Sequence, residues 1–431
     1  MYYTKIILNM FGISGALPLE IERPFNRLNG RRELVEPWKL PGYLYHKLAK
    51  ETWRTSYIHD FYTESNPPLG QALITTPIEP FYRDPTRYDP RPGKWSKIEN
   101  ARSFSRLGFS SDIYDILDST VGPATYEEYD VLYGDGENFV TYAKNTPEDT
   151  LRICYRGGMH WSQRIAAYEK RLDDLAERKG VRIEPSRPAI LAENEATELA
   201  DALLVMGDDH TAATFRDAGV DVPIRTIHTT HPPGYDFDPD QREYEDARTN
   251  FLWFGGTGPV LKGLDRVLDV FAGLENVNLY VCGPVENAGA FTELYDTELY
   301  HTDNIETVGW VDVRSRTFRR ILKRCAYHIY PSGSEGSSGA VANCMWRGLV
   351  PIVTQEVFAD TGDWGISLAD AGLDTIRDAV MDAATRDPTE VRQLARNASE
   401  TAKHRYDRQR YTNTIDTHLR DLLEYAGLQS R

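Results

Sequence analysis

Two short runs of small and polar residues carry the chemistry this chain offers. One is Pro331-Ser332-Gly333-Ser334-Glu335-Gly336-Ser337-Ser338-Gly339-Ala340; the other is Gly255-Gly256-Thr257-Gly258, followed by Lys262-Gly263. Small residues let a ligand approach the backbone closely. Free amides at a helix start, aided by the helix dipole, attract an anion. Glu335 is then placed to accept hydrogen bonds from hydroxyls of a neutral group beside that anion. In the second run, glycines after a strand cradle phosphate and Lys262 adds a point charge. The spacing fits neither a P-loop nor GxGxxG. Either run alone also reads as a Ser/Gly helix cap or a turn with a solvated lysine. Two such loops at different strand ends of one sheet suit a diphosphate gripped from both sides.

The elements that must position these loops alternate. Residues 1–66 have no clear period and read as an N-terminal extension. Strands follow at 72–76, 112–117, 129–134, 151–157, 201–207 and 224–228, with helices at 98–107 and about 163–179. Residues 231–249 are polar and contain prolines, a linker composition. The alternation restarts with a strand at 251–254 and a helix whose stripe is Leu264, Val267, Leu268 and Phe271. Strands at 278–283, 305–310, 327–331 and 350–354 come next, and the end of the chain is polar and helical in period. Continuous apolar strands between helices predict parallel sheets covered on both faces. The fold class expected is α/β, with two doubly wound Rossmann-like domains facing a central cleft. They span 67–230 and 250–395, with C-terminal helices at 396–431 packing back on the first. A ligand belongs between the carboxyl ends of the sheets.

Composition bounds the partners. The 431 residues carry 49 Lys+Arg against 65 Asp+Glu, a net charge of −16. That argues against a general nucleic-acid binder. The basic side is lopsided, with 12 Lys and 37 Arg. No apolar run approaches the roughly 18 residues of a membrane span. Cys154, Cys282, Cys325 and Cys344 are far apart and form no CxxC, so no zinc or redox motif is predicted. The start, MYYTKIILNM, lacks signal-peptide features. A cytoplasmic location is expected, and attachment to the inner face of a membrane is compatible with it.

Phe251 to Thr354 resembles the C-terminal half of a retaining glycosyltransferase of family 4, which has the GT-B fold. The stretches that carry the resemblance are FLWFGGTGPVLKGLDRVLDVF, LYVCGP, NIETVGW and IYPSGSEGSSGAVANCMWRGLVPIVT. ENARSFSRLGFSSDIYDIL and ELADALLVMGDDHTAATFRDAGV match more loosely in the first half. The likeness covers about 70–425. It implies a nucleoside-diphosphate-sugar donor (a UDP- or GDP-sugar) held by the second domain and a hydroxyl acceptor held mainly by the first. Carried over, the loop Gly255-Gly256-Thr257 and Lys262 would contact the diphosphate. Glu335 would hold sugar hydroxyls. The amides of Gly336, Ser337, Ser338 and Gly339 would hold the phosphates or the sugar. Gly283 and the Trp310-Val311 loop would border the nucleobase. His160, after the strand at 151–157, would touch the transferred sugar. Asp135 and the Tyr/Pro-rich loop 77–95 are further candidates on the acceptor side.

Two departures stand out. The family's Glu-x7-Glu motif ends here in Asn343, which offers a ribose a hydrogen bond without charge. Thr257 stands where an arginine often follows the glycine. The activity implied is transfer, with retention, of a hexose-type sugar to a sugar, glycolipid or polyprenyl-linked glycan, with no bound cofactor and no required metal. A degenerate non-catalytic GT-B scaffold and a nucleotide-sugar epimerase are the rival readings.

Overall fold

The computed structural model describes residues 56–61, 67–82, 92–185, 191–231, 237–357 and 359–428. Among them are two sheets. The first has strand order β1-β3-β2-β4-β5-β6-β7. Its strands are β1 (Tyr57–Ile58), β2 (Gly70–Thr76), β3 (Phe109–Asp115), β4 (Val131–Gly134), β5 (Leu151–Arg156), β6 (Ala202–Met206) and β7 (Ile224–Ile227). All neighbours are parallel except β1, which pairs antiparallel with β3. This edge strand lies inside the stretch read as an extension, so the first domain takes in residues from Ser56 onward. The rest of that stretch, 1–55 and 62–66, lies outside the described residues.

Helices α1 (Pro92–Arg106), α2 (Gly136–Ala143), α3 (Trp161–Lys179), α4 (Leu191–Glu198) and α5 (Asp209–Asp217) connect these strands. The short helices α2 and α4 have too few apolar positions to show a period in the sequence.

The second sheet has order β10-β9-β8-β11-β12-β13 and is parallel throughout. Its strands are β8 (Asn250–Phe254), β9 (Asn278–Cys282), β10 (Ile305–Gly309), β11 (Tyr327–Tyr330), β12 (Val350–Thr354) and β13 (Ile366–Leu368). Its helices are α6 (Tyr244–Ala247), α7 (Leu264–Phe271), α8 (Ala290–Leu294), α9 (Asp296–Tyr300), α10 (Arg316–Arg324), α11 (Gly339–Trp346), α12 (Leu373–Thr385), α13 (Pro388–Arg405) and α14 (Arg408–Tyr425). Chain order therefore reverses between β8 and β11, the switch point at which doubly wound sheets hold ligands.

The linker is shorter than its composition suggests. Arg242 is 1% exposed and donates to the carbonyls of Leu322, Arg347 and Gly348. With α6, it makes residues 237–249 part of the second domain.

The C-terminal helices divide. Val391, Ala395 and Ala402 of α13 join the core of the second sheet. Tyr411, Ile415, Leu419, Leu422 and Leu423 of α14 join that of the first. Asp416 of α14 receives Arg106 at 2.7 and 2.8 Å and Ser103 at 2.5 Å. The four cysteines are buried and free.

Helix α3 bridges the two halves. Tyr168, Leu172 and Leu175 belong to the core of the second sheet. Along the seam Arg178 binds Asp265 and Asp269, Lys179 binds Asp269 at 2.8 Å, and Arg266 binds Asp174 at 2.6 Å.

Candidate functional site

The loops that leave β8 and β11 are stitched together at the switch point. Gly333 N–H donates to Leu261 O at 2.8 Å. Gly263, at φ +71°, starts α7 where the loops cross, and a Cβ there would sit 2.5 Å from Pro331 O. Only glycine meets both demands without strain. Gly283 packs as closely, since a Cβ on it would lie 2.6 Å from Gly255 O. Gly256 and Thr257 are exposed on the rim, and nothing lies within 4 Å of a Cβ built on Gly256.

This stitching brings Lys262 against Glu335. Lys262 Nζ donates to Glu335 Oε1 and, at 2.7 Å, to the hydroxyl of Tyr330. That hydroxyl donates in turn to the same Oε1 at 2.7 Å. Oε1 therefore takes two hydrogen bonds, while Oε2 meets no donor among the described residues. Lys262 is 8% exposed. An ammonium has three donors, so one N–H remains beyond Tyr330 and Glu335.

Above this pair, α11 begins. Ser338 caps it, its Oγ accepting from Val341 N–H at 3.4 Å. The N–H groups of Gly336, Ser337, Ser338 and Gly339 donate to no acceptor among the described residues. Such a cluster of orphan donors at a helix start is an anion site in waiting.

The first domain closes over this loop. A Cβ on Gly336 would overlap Met206 O and lie 2.7 Å from Gly158 Cα. Thr229 N–H donates to Ser337 Oγ at 2.9 Å. Arg171 of α3 reaches across to Pro331 O at 3.0 Å. Burial and then Arg266 push the pKa of Arg171 down to about 10.

Not every sequence candidate joins the site. His160 is 6% exposed and caps α3, with Nδ1 2.8 Å from Ser162 Oγ, while its ring lies edge-on to Phe215. Burial, then Arg156, lower its pKa and keep it neutral. Nδ1 is thus spent on the helix cap, while Nε2 has no hydrogen-bond partner among the described residues. Asn343 is also spent locally. Its Nδ2 donates to Gly339 O at 2.7 Å, and its Oδ1 accepts from Arg347 at 3.1 Å. Gly339 and Arg347, one helical turn to either side, hold the amide along α11. Asp135 caps α2 and binds Arg156 at 2.6 Å. Of the loop 77–95, Glu79–Tyr82 form a 3-10 turn, and 83–91 lie outside the described residues. Val311 is buried, while its neighbour Trp310 is 67% exposed beside the end of β10.

Two site residues escaped the sequence reading. Tyr330 ends β11 immediately before the loop, where a hydroxyl can reach both partners. Arg171 interrupts the stripe Tyr168, Leu172, Leu175 at helical spacing, and a cation in an apolar stripe was the available signal.

No family model matches the chain, and no curated protein matches it. Solved structures do. Sucrose-phosphate synthase from Thermosynechococcus elongatus superposes with a TM-score of 0.53 at 13% identity, covering 82% of this chain and 100% of that one. Anabaena HepE in complex with UDP and glucose gives 0.52 at 12%, covering 83% and 100%. HepE with UDP-glucose gives 0.53 at 12%, covering 82% and 99%. At these identities the likeness is one of fold: the chain has the two-domain GT-B architecture. Function must be argued from the site.

Proposed function

We propose that this chain is a glycosyltransferase that moves a hexose-type sugar from a nucleoside diphosphate to a hydroxyl acceptor, with retention. One observation carries the reading: Lys262, Tyr330 and Glu335 form a single contact beneath four unpaired amides at the switch point of the second sheet. The third Lys262 N–H and the amides of 336–339 take the diphosphate, and Glu335 Oε2 takes hydroxyls of the donor sugar. Gly255, Gly256 and Gly283 let the nucleotide lie close to the backbone, with Trp310 and Val311 beside the base. That HepE is described in complex with UDP-glucose supports a uridine donor.

The acceptor oxygen attacks the anomeric carbon on the face from which the diphosphate leaves. The bond from that carbon to the β-phosphate oxygen breaks, and the phosphate receives the acceptor's proton. Lys262 and the amides stabilise the charge that develops there. His160 holds the start of α3 next to Gly158 through Nδ1, which leaves Nε2 for the transferred sugar. The acceptor lies over the carboxyl ends of β2, β4 and β5. The reaction belongs to the cytoplasm and needs no resident metal. No described helix is long and apolar enough to cross a membrane.

The local engagement of Asn343 favours a second reading, a scaffold that binds nucleotide without turnover. A thermal-shift screen against UDP-, GDP-, ADP- and TDP-sugars, followed by a donor-turnover assay, separates the two. Stabilisation by one donor with release of its diphosphate supports transfer. Stabilisation without turnover supports the scaffold, and no stabilisation by any donor rejects both.

A further inference from the structure

One polar cavity is lined by neither Lys262 nor Glu335. The end of β7, the residues after it and the corner between α13 and α14 border a space of about 190 Å³. Thr226, His228, Thr229, Arg405, Arg410 and Thr414 line it, and none of the described lining residues is acidic. In a chain of net charge −16, two guanidinium groups facing one acid-free space ask for an anion.

The arginines are only partly satisfied. Arg405 spends Nη1 on Asp360 at 2.9 Å, while its buried Nε meets no acceptor among the described residues. Arg410 donates to His404 at 2.8 Å. Both act on the ring of His228, whose pKa burial and then Arg405 and Arg410 push down to about 4, against the upward pull of Asp360. The imidazole is therefore neutral near pH 7 and adds no charge of its own to the two guanidinium groups, of which Arg405 is paired with Asp360.

Size narrows the ligand. Water occupies about 30 Å³ in the liquid, so the space admits a phosphate group with a few waters. Small-molecule sites of about 300–1,000 Å³ hold larger ligands, so the inner space by itself is too small for a nucleotide sugar. Sharing Arg410 and Thr414, a groove of about 560 Å³ continues outward past Lys403, His404 and His418. The acid in that groove, Asp407, is committed to capping α14 through Arg410 N–H at 3.0 Å. The groove has room for whatever a phosphate is esterified to.

We propose that this cavity binds a phosphate group through Arg405, Arg410 and the surrounding threonine hydroxyls. Its place gives it leverage. Thr229 lines the cavity and also holds Ser337 of the donor loop, so an occupied site ties the α13–α14 corner to that loop. The proposal does not depend on glycosyl transfer, because its test reads binding alone.

The test titrates inorganic phosphate, and separately glycerol 3-phosphate, into the full chain at pH 7.5 and fixed ionic strength. Ring signals of His228, assigned through His228→Gln, report occupancy. A saturable shift is expected with at least one ligand, weakened tenfold or more in Arg410→Ala and in Thr414→Glu, and unchanged in Lys262→Ala. Arg410 is exposed, so its truncation leaves the fold intact. Tighter binding of the ester assigns the groove to its organic part, and tighter binding of phosphate assigns the cavity to the free ion. No saturable shift with either ligand, a shift retained in both cavity variants, or one lost in Lys262→Ala overturns the proposal.

Discussion

Lys262 and Glu335 meet across the β8 and β11 loops, and the hydroxyl of Tyr330 hydrogen-bonds to both at 2.7 Å. The contact divides the carboxylate. One oxygen orients the ammonium, and the other is left for a ligand.

If Lys262 stabilises the departing diphosphate, Lys262→Ala lowers kcat by about 10²–10³-fold, or about 3–4 kcal/mol of transition-state stabilisation. Glu335→Ala costs a similar factor. Tyr330→Phe removes the bridge but neither charge, and costs about tenfold, in the range of one hydrogen bond to a charged group. Steady-state kinetics with the identified donor check this order. Near-wild-type transfer by the Lys262 and Glu335 variants contradicts the assignment.

Two glycines of the same loop should part ways. Gly263→Ala puts a methyl 2.5 Å from Pro331 O at positive φ. It should lower stability by about 1–3 kcal/mol, the range for such backbone strain. Gly256→Ala meets nothing within 4 Å. It should leave the urea midpoint unchanged yet weaken donor binding, because the methyl occupies the phosphate's approach. Equal midpoints for both variants, or full donor affinity in Gly256→Ala, would be inconsistent with this geometry.

The seam between the halves depends on Asp265, which is fully buried and held by Arg178. Asp265→Ala strands part of that charge and should cost about 3 kcal/mol. Hydrogen exchange in α3 and α7 should quicken together, with β2 and β4 unaffected. A loss below about 0.5 kcal/mol would mean that Asp269 alone carries the contact.

His231 should supply one part of the acid sensitivity, beside His228 and His328, whose pKa values burial also pushes down to about 4. Its ring stacks on Trp346 at 3.3 Å, and burial, followed by Arg347, Arg408 and Lys403, pushes its pKa down to about 3. Unfolded, it titrates near its usual 6.5. At pH values above 6.5 both states are neutral and the residue adds no slope. As pH falls from 6.5 towards 3, the unfolded state takes up a proton that the folded state refuses, so stability declines across that window. His231→Phe should flatten the decline by about one proton. An unchanged slope in urea melts at pH 4, 5 and 6 would count against this.

Much of the fold was legible because buried parallel strands are continuous apolar runs. The strands from Ala72 to Thr354 fall within a few residues of their expected places. Tyr57–Ile58 and Ile366–Leu368 were not legible, since edge strands so short carry no period. Arg242 reads as a linker residue in sequence and is buried by carbonyls that only the folded chain supplies. That the two loops carrying Lys262, Gly263 and Glu335 leave strands of one sheet was readable from small residues placed between strand and helix patterns. The capping role of His160 and the local bonds of Asn343 were not, because the first depends on a helix start and on Phe215 of a distant helix, and the second on groups one helical turn away on either side.

The most direct measurement is a crystal structure with UDP, and in parallel with GDP. The β-phosphate should lie within hydrogen-bond distance of Lys262 Nζ and of the amides between Gly336 and Gly339, with Glu335 Oε2 open to the sugar side. A nucleotide bound elsewhere, or a diphosphate contacting neither loop, would contradict the account.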